Sequence, residues 1–406
     1  MSRRAWLWIG FAVVHLVVAV CGFFMPNQPM GDVYFVYEPW AQQALAGRGI
    51  PGIDTDWIYP QLALIPMVLA NGISVIVGGY EGAWAILVTA CDALAFALLV
   101  GKGRSNGRTL AAWFWLGFAL LLGPVGMYRL DAITVPLALA GCLWLVGRPT
   151  LAALLLAGAT WIKVWPAALL AAALVAVRRR LAVVGGALIV TGLAAAIILF
   201  AGGADHAFSF VLGQTDRGLQ LEAPVSAFYL WRAVARIPGS FIYYDSTLLT
   251  FQVAGPEVDI VIALMTPLLV AAMLAIAAIG ALKAWRGASF AALFPPLALS
   301  FVLAFIVFNK VGSPQYLAWL IAPLAFGLVV DRRRWWRLAV AGLVAALLTQ
   351  LVYPLSYRAL LMADSLAASV LTLRNAVLVV MLVWAVVHLV RVPRRVRLPV
   401  PVSVTS

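Results

Sequence analysis

The sequence predicts an all-α polytopic membrane protein of about twelve transmembrane helices, with re-entrant or juxtamembrane helices on the outer face. Three observations predict it. Of the 406 residues, 65% are hydrophobic and only 11% are charged, more apolar surface than a soluble domain can bury. Runs of about 20 apolar residues recur along the whole chain, each long enough to cross a bilayer as a helix. Basic clusters punctuate those runs. Only helices and closed barrels satisfy the backbone in lipid, and the alternation of a barrel strand is missing.

The first apolar run follows Ser2-Arg3-Arg4 and lacks a clear small-residue cleavage site, so it is expected to be a retained span. Further basic clusters stand at Lys102/Arg104/Arg108, Arg148, Arg178 to Arg180, Lys283/Arg286, Arg332 to Arg334 with Arg337, and Arg391/Arg394/Arg395/Arg397. Such clusters mark the cytoplasmic side. The chain between them must then cross an even number of times, which makes six excursions. Their outer turns fall near Asn27–Pro60, Met127–Asp131, Lys163, Gly202–Asp259, Asn309–Gln315 and Tyr353–Ser365. Two segments need separate treatment. Pro60–Val77 is apolar, but a second full span beside Trp84–Val100 would put Lys102 outside, so it is expected to stay in the outer half. Leu151–Val177 has arginines at both ends and Lys163 and Pro166 in the middle, which fits a hairpin of two short helices with Lys163 at its tip.

One multi-span domain over 1–392 follows, with an outer loop at 27–60, a large outer loop at 202–259, and a cytoplasmic tail at 393–406 whose end, Leu398–Ser406, is expected to be disordered. The acids were not used to build this topology, yet nearly all fall outside. Only Asp331 lies inside, and Asp92 is in mid-membrane, where a polar partner is expected. The chemistry is therefore expected on the outer face of a plasma-membrane protein.

The net charge of +13 fits topology-setting loops and anionic lipid heads rather than nucleic acid, since no basic stripe with interleaved aromatics occurs. Cys21, Cys91 and Cys142 lie inside apolar runs, and His15, His206 and His388 are scattered, so no disulfide framework or metal-ligand spacing is visible.

The outer turns bring carboxylates and widely separated cations to one face. Loop one carries Asp32, Tyr34, Tyr37, Asp54, Asp56 and Tyr59; the next turns carry Tyr128, Arg129 and Asp131, then Lys163 between Trp161 and Trp165. The large loop carries Gln214, Asp216, Arg217, Gln220 and Glu222, and the fifth turn Asn309, Lys310, Ser313, Gln315 and Tyr316. A carboxylate can take a proton from a hydroxyl. Lysine holds phosphate as a point charge and arginine through a bidentate fork. Aromatics beside polar groups suit sugar faces or an isoprenoid chain. The combination points to a lipid-phosphate-linked donor and a hydroxyl acceptor meeting at the membrane boundary.

Simpler roles compete at each position. Asp32 could cap the following helix. Asp54 and Asp56 sit in a turn-like Gly-Ile-Asp-Thr-Asp-Trp stretch, or with Asp32 could take a divalent cation through oxygen ligands. Arg129 and Asp131 could pair with each other, Lys163 could snorkel to the interface, and Gln315 and Tyr316 could be interface anchors.

Four stretches resemble the GT-C glycosyltransferases, close to the actinobacterial polyprenol-phosphate-mannose-dependent mannosyltransferases that include the phosphatidylinositol-mannoside enzymes. They are Asp32-Val33-Tyr34 leading through a short helix and Gly47 to Tyr59-Pro60; Trp161-Ile162-Lys163-Val164-Trp165-Pro166; Asp216-Arg217-Gly218-Leu219-Gln220-Leu221-Glu222; and Lys310-Val311-Gly312-Ser313-Pro314-Gln315-Tyr316-Leu317-Ala318-Trp319. The family often has Tyr-Pro-Pro where this chain has Tyr59-Pro60-Gln61, and Glu-Ser where it has Glu222-Ala223. The resemblance implies that Asp32 is the general base. Lys163, Arg217, Lys310 and Arg129 are then candidates for the donor phosphate. Tyr34, Asp54, Asp56, Tyr59, Asp131, Gln220, Glu222, Gln315 and Tyr316 are candidates for substrate contact. It implies an inverting transfer of mannose, or of arabinofuranose, from a polyprenyl phosphate to a glycolipid or cell-envelope glycan. Two rivals remain: a lipid-linked sugar transporter, which would place its charges at the midplane, and a non-catalytic scaffold.

Overall fold

The computed structural model describes residues 2–213 and 217–393, so Gln214, Asp216 and the tail from Arg394 lie outside the described residues. The chain is predominantly helical. Among the described residues, seven helical stretches are long and apolar enough to cross a membrane: Arg3–Phe24, Tyr80–Val100, Arg180–Phe200, Val258–Trp285, Phe290–Val307, Pro314–Leu355 and Ser365–Val390. The longest is interrupted. Asp331 takes φ −148°, ψ 84° inside Ile321–Gln350, next to the arginines where an inner turn is expected.

Shorter apolar helices lie between them: Asp131–Trp144, Pro149–Ile162 and Ala167–Ala176, with Asn106–Leu122 beside them. A count near twelve thus depends on helices shorter than a bilayer is thick. Leu64–Val77 has 14 residues, or about 21 Å at the helical rise. That is less than the roughly 30 Å of hydrocarbon. It ends at Gly78, where φ is +79°, and packs on Tyr80–Val100 with Tyr80 Oη donating to the Met67 carbonyl at 2.9 Å.

Contacts place the basic clusters at one end of the bundle. Arg3 Nη1 donates to Asn106 Oδ1 at 2.8 Å, and Gly103 faces Arg4. Gly107 packs on the carbonyls of Leu328 and Val329. Arg334 donates to the His388 carbonyl at 3.3 Å, and Lys283 to those of Val390 and Val392. Gly280 meets Val175, and Gly186 meets Thr150 and Ala153. Arg148 and Arg178 to Arg180 are thereby at the same end, so Pro149–Ile162 and Ala167–Ala176 form the expected out-and-back pair. The opposite end gathers loop one, Lys163, the 202–259 region and the stretch around Lys310.

The loops there are packed rather than loose. Val33, Tyr37, Trp57 and Tyr128 share one buried cluster with Trp84. Leu219, Leu221, Tyr229 and Val253 share another with Leu371 of the last helix. The large loop adds one two-stranded hairpin to the otherwise helical chain. Phe241–Asp245 and Thr250–Ala254 pair antiparallel, Phe241 opposite Ala254 and Asp245 opposite Thr250. Aromatic and β-branched residues dominate both strands, which favours extended backbone. Asp245 Oδ1 accepts from the Thr247 and Leu248 amides at 2.9 and 3.0 Å, an Asx turn that closes the hairpin. In mid-bundle, Asp92 finds its partner: His15 Nε2 lies 3.0 Å from Asp92 Oδ2.

Candidate functional site

A cavity of about 1270 Å³ opens at the end opposite the basic clusters. Single-ligand pockets run to about 1,000 Å³, so this one has room for two substrates. Segments from far apart in the chain wall it, and local structure holds the charged ones in place.

Asp32 opens the helical segment that continues through Val33–Tyr37 into Glu38–Leu45. Its side chain makes no capping bond; it lies 3.2 Å from Arg129 Nε. Arg129 follows a tight corner that begins at Gly123, where φ is +66°. Its Nη1 donates to the carbonyls of Pro29 and Tyr128 at 2.8 and 3.0 Å. Arg129 therefore pairs with Asp32 and not with Asp131. Burial opposes its charge, but the Asp32 carboxylate together with Tyr353 and Tyr37 outweighs that and holds its pKa above the usual arginine value.

Asp131, 1% exposed, pairs instead with Lys163 Nζ at 3.3 Å. Its other oxygen accepts from Trp319 Nε1 at 2.6 Å. Lys163 reaches it because the helix Pro149–Ile162 stops there, with Lys163 extended at φ −151°, ψ 133° ahead of Pro166. The ammonium also lies 4.7 Å from the centre of the Tyr59 ring. Burial works against this charge, yet Asp131 and Tyr59 raise its pKa above the ordinary lysine value. Behind it Trp165 stacks on Trp319 at 5.7 Å, and Tyr316 on Trp319 at 4.1 Å.

Residues 217–222 form a third wall. Gln220 N donates to the Lys310 carbonyl and Leu221 N to that of Phe251, both at 3.0 Å. The stretch is thus laid between the hairpin and the Lys310 turn. A Cβ on Gly312 would run into the Glu222–Ala223 backbone; that position admits no side chain. Arg217, Gln220, Glu222, Lys310, Gln315 and Tyr316 all line the cavity. Glu222 is 5% exposed; burial pushes its carboxyl up to about 7, against the pull of Arg374 and Arg129.

Three expected site residues stand apart. Asp54 Oδ2 accepts from the Ile50 amide at 2.6 Å, so it closes its own turn. Tyr34 packs on Phe35 and is absent from the cavity wall; its neighbour Tyr37 faces inward, its hydroxyl accepting from Leu130 N at 3.1 Å. Asp131 lies behind Lys163 rather than on the surface. Asp56 is on the rim, 2.7 Å from His206 Nδ1. Asp32, Asp54 and Asp56 thus have three separate partners. Among the described residues no three His, Cys, Asp or Glu side chains are gathered for a metal ion.

Sequence reasoning missed Arg374, Tyr353 and Tyr357. The tyrosines line the cavity from the segment before the last helix. Arg374 lies behind Glu222, donating to its carbonyl at 3.0 Å with 3.6 Å between the side chains. It was legible as a lone cation in the apolar run Ser365–Val390, a costly placement that marks function. No protein-family model matches this chain, and no curated protein matches it.

Proposed function

We propose that this protein is an inverting membrane glycosyltransferase, moving a sugar from a polyprenyl phosphate to a hydroxyl of a glycolipid or envelope glycan. The observation that carries this reading is the composition of the cavity wall. Asp32, paired with Arg129, lines it together with Lys163, Arg217 and Lys310, Glu222 sits on the same wall as Arg217, and stacked aromatics back it. In this reading Asp32 takes the proton of the acceptor hydroxyl, aligned by Arg129. The freed oxygen forms a bond to the anomeric carbon as the bond to the phosphate oxygen breaks. The electron pair leaves with the polyprenyl phosphate, which is already a good anion, so no general acid is required; a sugar–sugar hydrolase would need one. Lys163, Arg217 and Lys310 offset the charge that builds on the phosphate.

The same proposal includes twelve crossings in a GT-C arrangement, with the cavity outside the cytoplasm and the basic end inside the plasma membrane. Mannose is the preferred sugar, with arabinofuranose as the alternative.

Purified protein incubated with radiolabelled polyprenyl-phosphate mannose or arabinofuranose and a membrane lipid extract is expected to label a glycolipid. Asp32→Asn is expected to lose that transfer by two to four orders of magnitude, roughly the contribution of a general base. No transfer from any donor would reject the reading; wild-type transfer by a correctly inserted Asp32→Asn protein would reject the base.

A further inference from the structure

Glu222 differs from the other carboxylates around the cavity. Asp32 and Asp131 each have a cation within 3.3 Å. Asp131 Oδ2 and Glu222 Oε2 both lack a hydrogen bond among the described residues, but Lys163 stands 3.3 Å from the first and Arg374 3.6 Å from the second, and of the two only Glu222, 5% exposed, lines the cavity. Its main chain is fixed from three sides. Arg374 Nη2 holds its carbonyl, Gln220 N is tied to Lys310, and Gly312 packs against its peptide. The clamp leaves the carboxyl placed but not saturated. A buried acceptor in such a position is destabilising unless a donor pairs with it.

We propose that Glu222 is the carboxylate that binds hydroxyl groups of the acceptor sugar, and that Arg374 is its positioning residue. This rests on the transferase reading and adds the acceptor side to it. An ionised carboxylate is acceptor-only and can accept hydrogen bonds from two hydroxyls at once, as neighbouring hydroxyls of a sugar present them. The cations Lys163, Arg217 and Lys310 suit the phosphate of the donor, so the two substrates are sorted by charge to different walls. Arg374 holds the Glu222 backbone by a direct bond and its side chain at ion-pair distance. It comes from the last helix, so the acceptor contact is fixed to the bundle rather than to a loop.

The charged and titratable groups facing Glu222 are Arg374 of the last helix, Arg129 of the corner after Met127, and Tyr353 and Tyr357. Burial pushes the Glu222 carboxyl up to about 7. Below that it is protonated and loses acceptor capacity; above it both oxygens accept. Acceptor binding should therefore tighten with rising pH, by about tenfold between pH 6 and pH 8 if only the ionised form binds.

The test uses the full-length protein, polyprenyl-phosphate mannose as donor and octyl α-mannoside as acceptor probe. In the wild type, acceptor KM is expected to fall about tenfold from pH 6 to pH 8 while donor KM does not follow. In Glu222→Gln the acceptor KM is expected to be raised at pH 8 and flat with pH. In Arg374→Met the midpoint is expected to move to higher pH, because the cation that favours the ionised form is gone; Arg374→Lys should restore most of it. Binding of octyl α-mannoside, followed by tryptophan fluorescence, gives a second readout that needs no turnover. If no donor is used, the transferase reading fails. A pH-dependent binding that Glu222→Gln abolishes still supports the site. Wild-type acceptor binding and pH dependence in Glu222→Gln, or an effect on donor KM instead, would overturn the inference. So would Arg374→Lys behaving like Arg374→Met.

Discussion

At Asp131 the chain buries a carboxylate and answers it with Lys163 and Trp319. Removing one partner of a buried pair leaves an uncompensated charge, typically at a cost of about 3–5 kcal/mol. Asp131→Asn is therefore expected to lower the melting temperature in detergent more than Lys163→Gln combined with Asp131→Asn does. An Asp131→Asn protein with unchanged melting would show that the pair carries no stability. Glu222 allows a signed prediction. Its pKa rises from 4.5 to about 7 on folding. Between those values the folded state keeps a proton that the unfolded state has lost, so its contribution to stability falls as pH rises from about 4.5 to about 7. In Glu222→Gln this segment of the melting profile should be flat. The sequence marks Asp32, Arg129, Lys163 and Glu222 as chemistry, because charges are rare here. It does not pair them: Arg129 and Asp131 are two positions apart, yet their partners lie in loop one and beyond the Pro149–Ile162 helix. Pairing depends on which loop ends meet, and spacing along the chain carries no such information.

At the scale of elements, the turn at Lys310 and the strip 217–222 depend on each other. Their backbones touch at Gly312, and any Cβ there meets Glu222 and Ala223. Gly312→Ala is expected to destabilise by about 1–3 kcal/mol, as an overpacked site does, and to reduce acceptor use more than donor use. Thermal melting and substrate titration check both. The hairpin at 241–254 was open to prediction, since Phe241–Asp245 and Thr250–Ala254 are rich in aromatic and β-branched residues around an Asp245 turn. The Leu64–Val77 helix has the same 14 residues as Asp131–Trp144 and Pro149–Ile162, so its length does not set it apart from them; the argument for keeping it in the outer half is the charge of Lys102.

Over the whole molecule, charge is sorted by end. Arg3, Arg104, Arg148, Lys283 and Arg334 lie at one end, and the cavity with its carboxylates at the other. A cysteine at Ser105 should react with a membrane-impermeant maleimide only after the membrane is opened, and one at Leu249 should react in intact cells. Labelling of both from the same side would break the topology. Arg374 shows the limit of sorting by hydropathy. It sits within the apolar run Ser365–Val390, yet it belongs to the cavity end, because the first part of that helix packs on the 224–234 region.

The sequence by itself determined the helical membrane class, the separation of basic clusters from most acids along the chain, and the short list of candidate site residues. These follow from local quantities: apolar run length, basic clusters and the cost of a charge in lipid. Only the tertiary structure decided that Asp32 pairs with Arg129, that Asp131 lies behind Lys163, and that Glu222 is clamped by Arg374 with one oxygen left over. Those are contacts between segments far apart in the chain, selected by how the loop ends pack over the bundle.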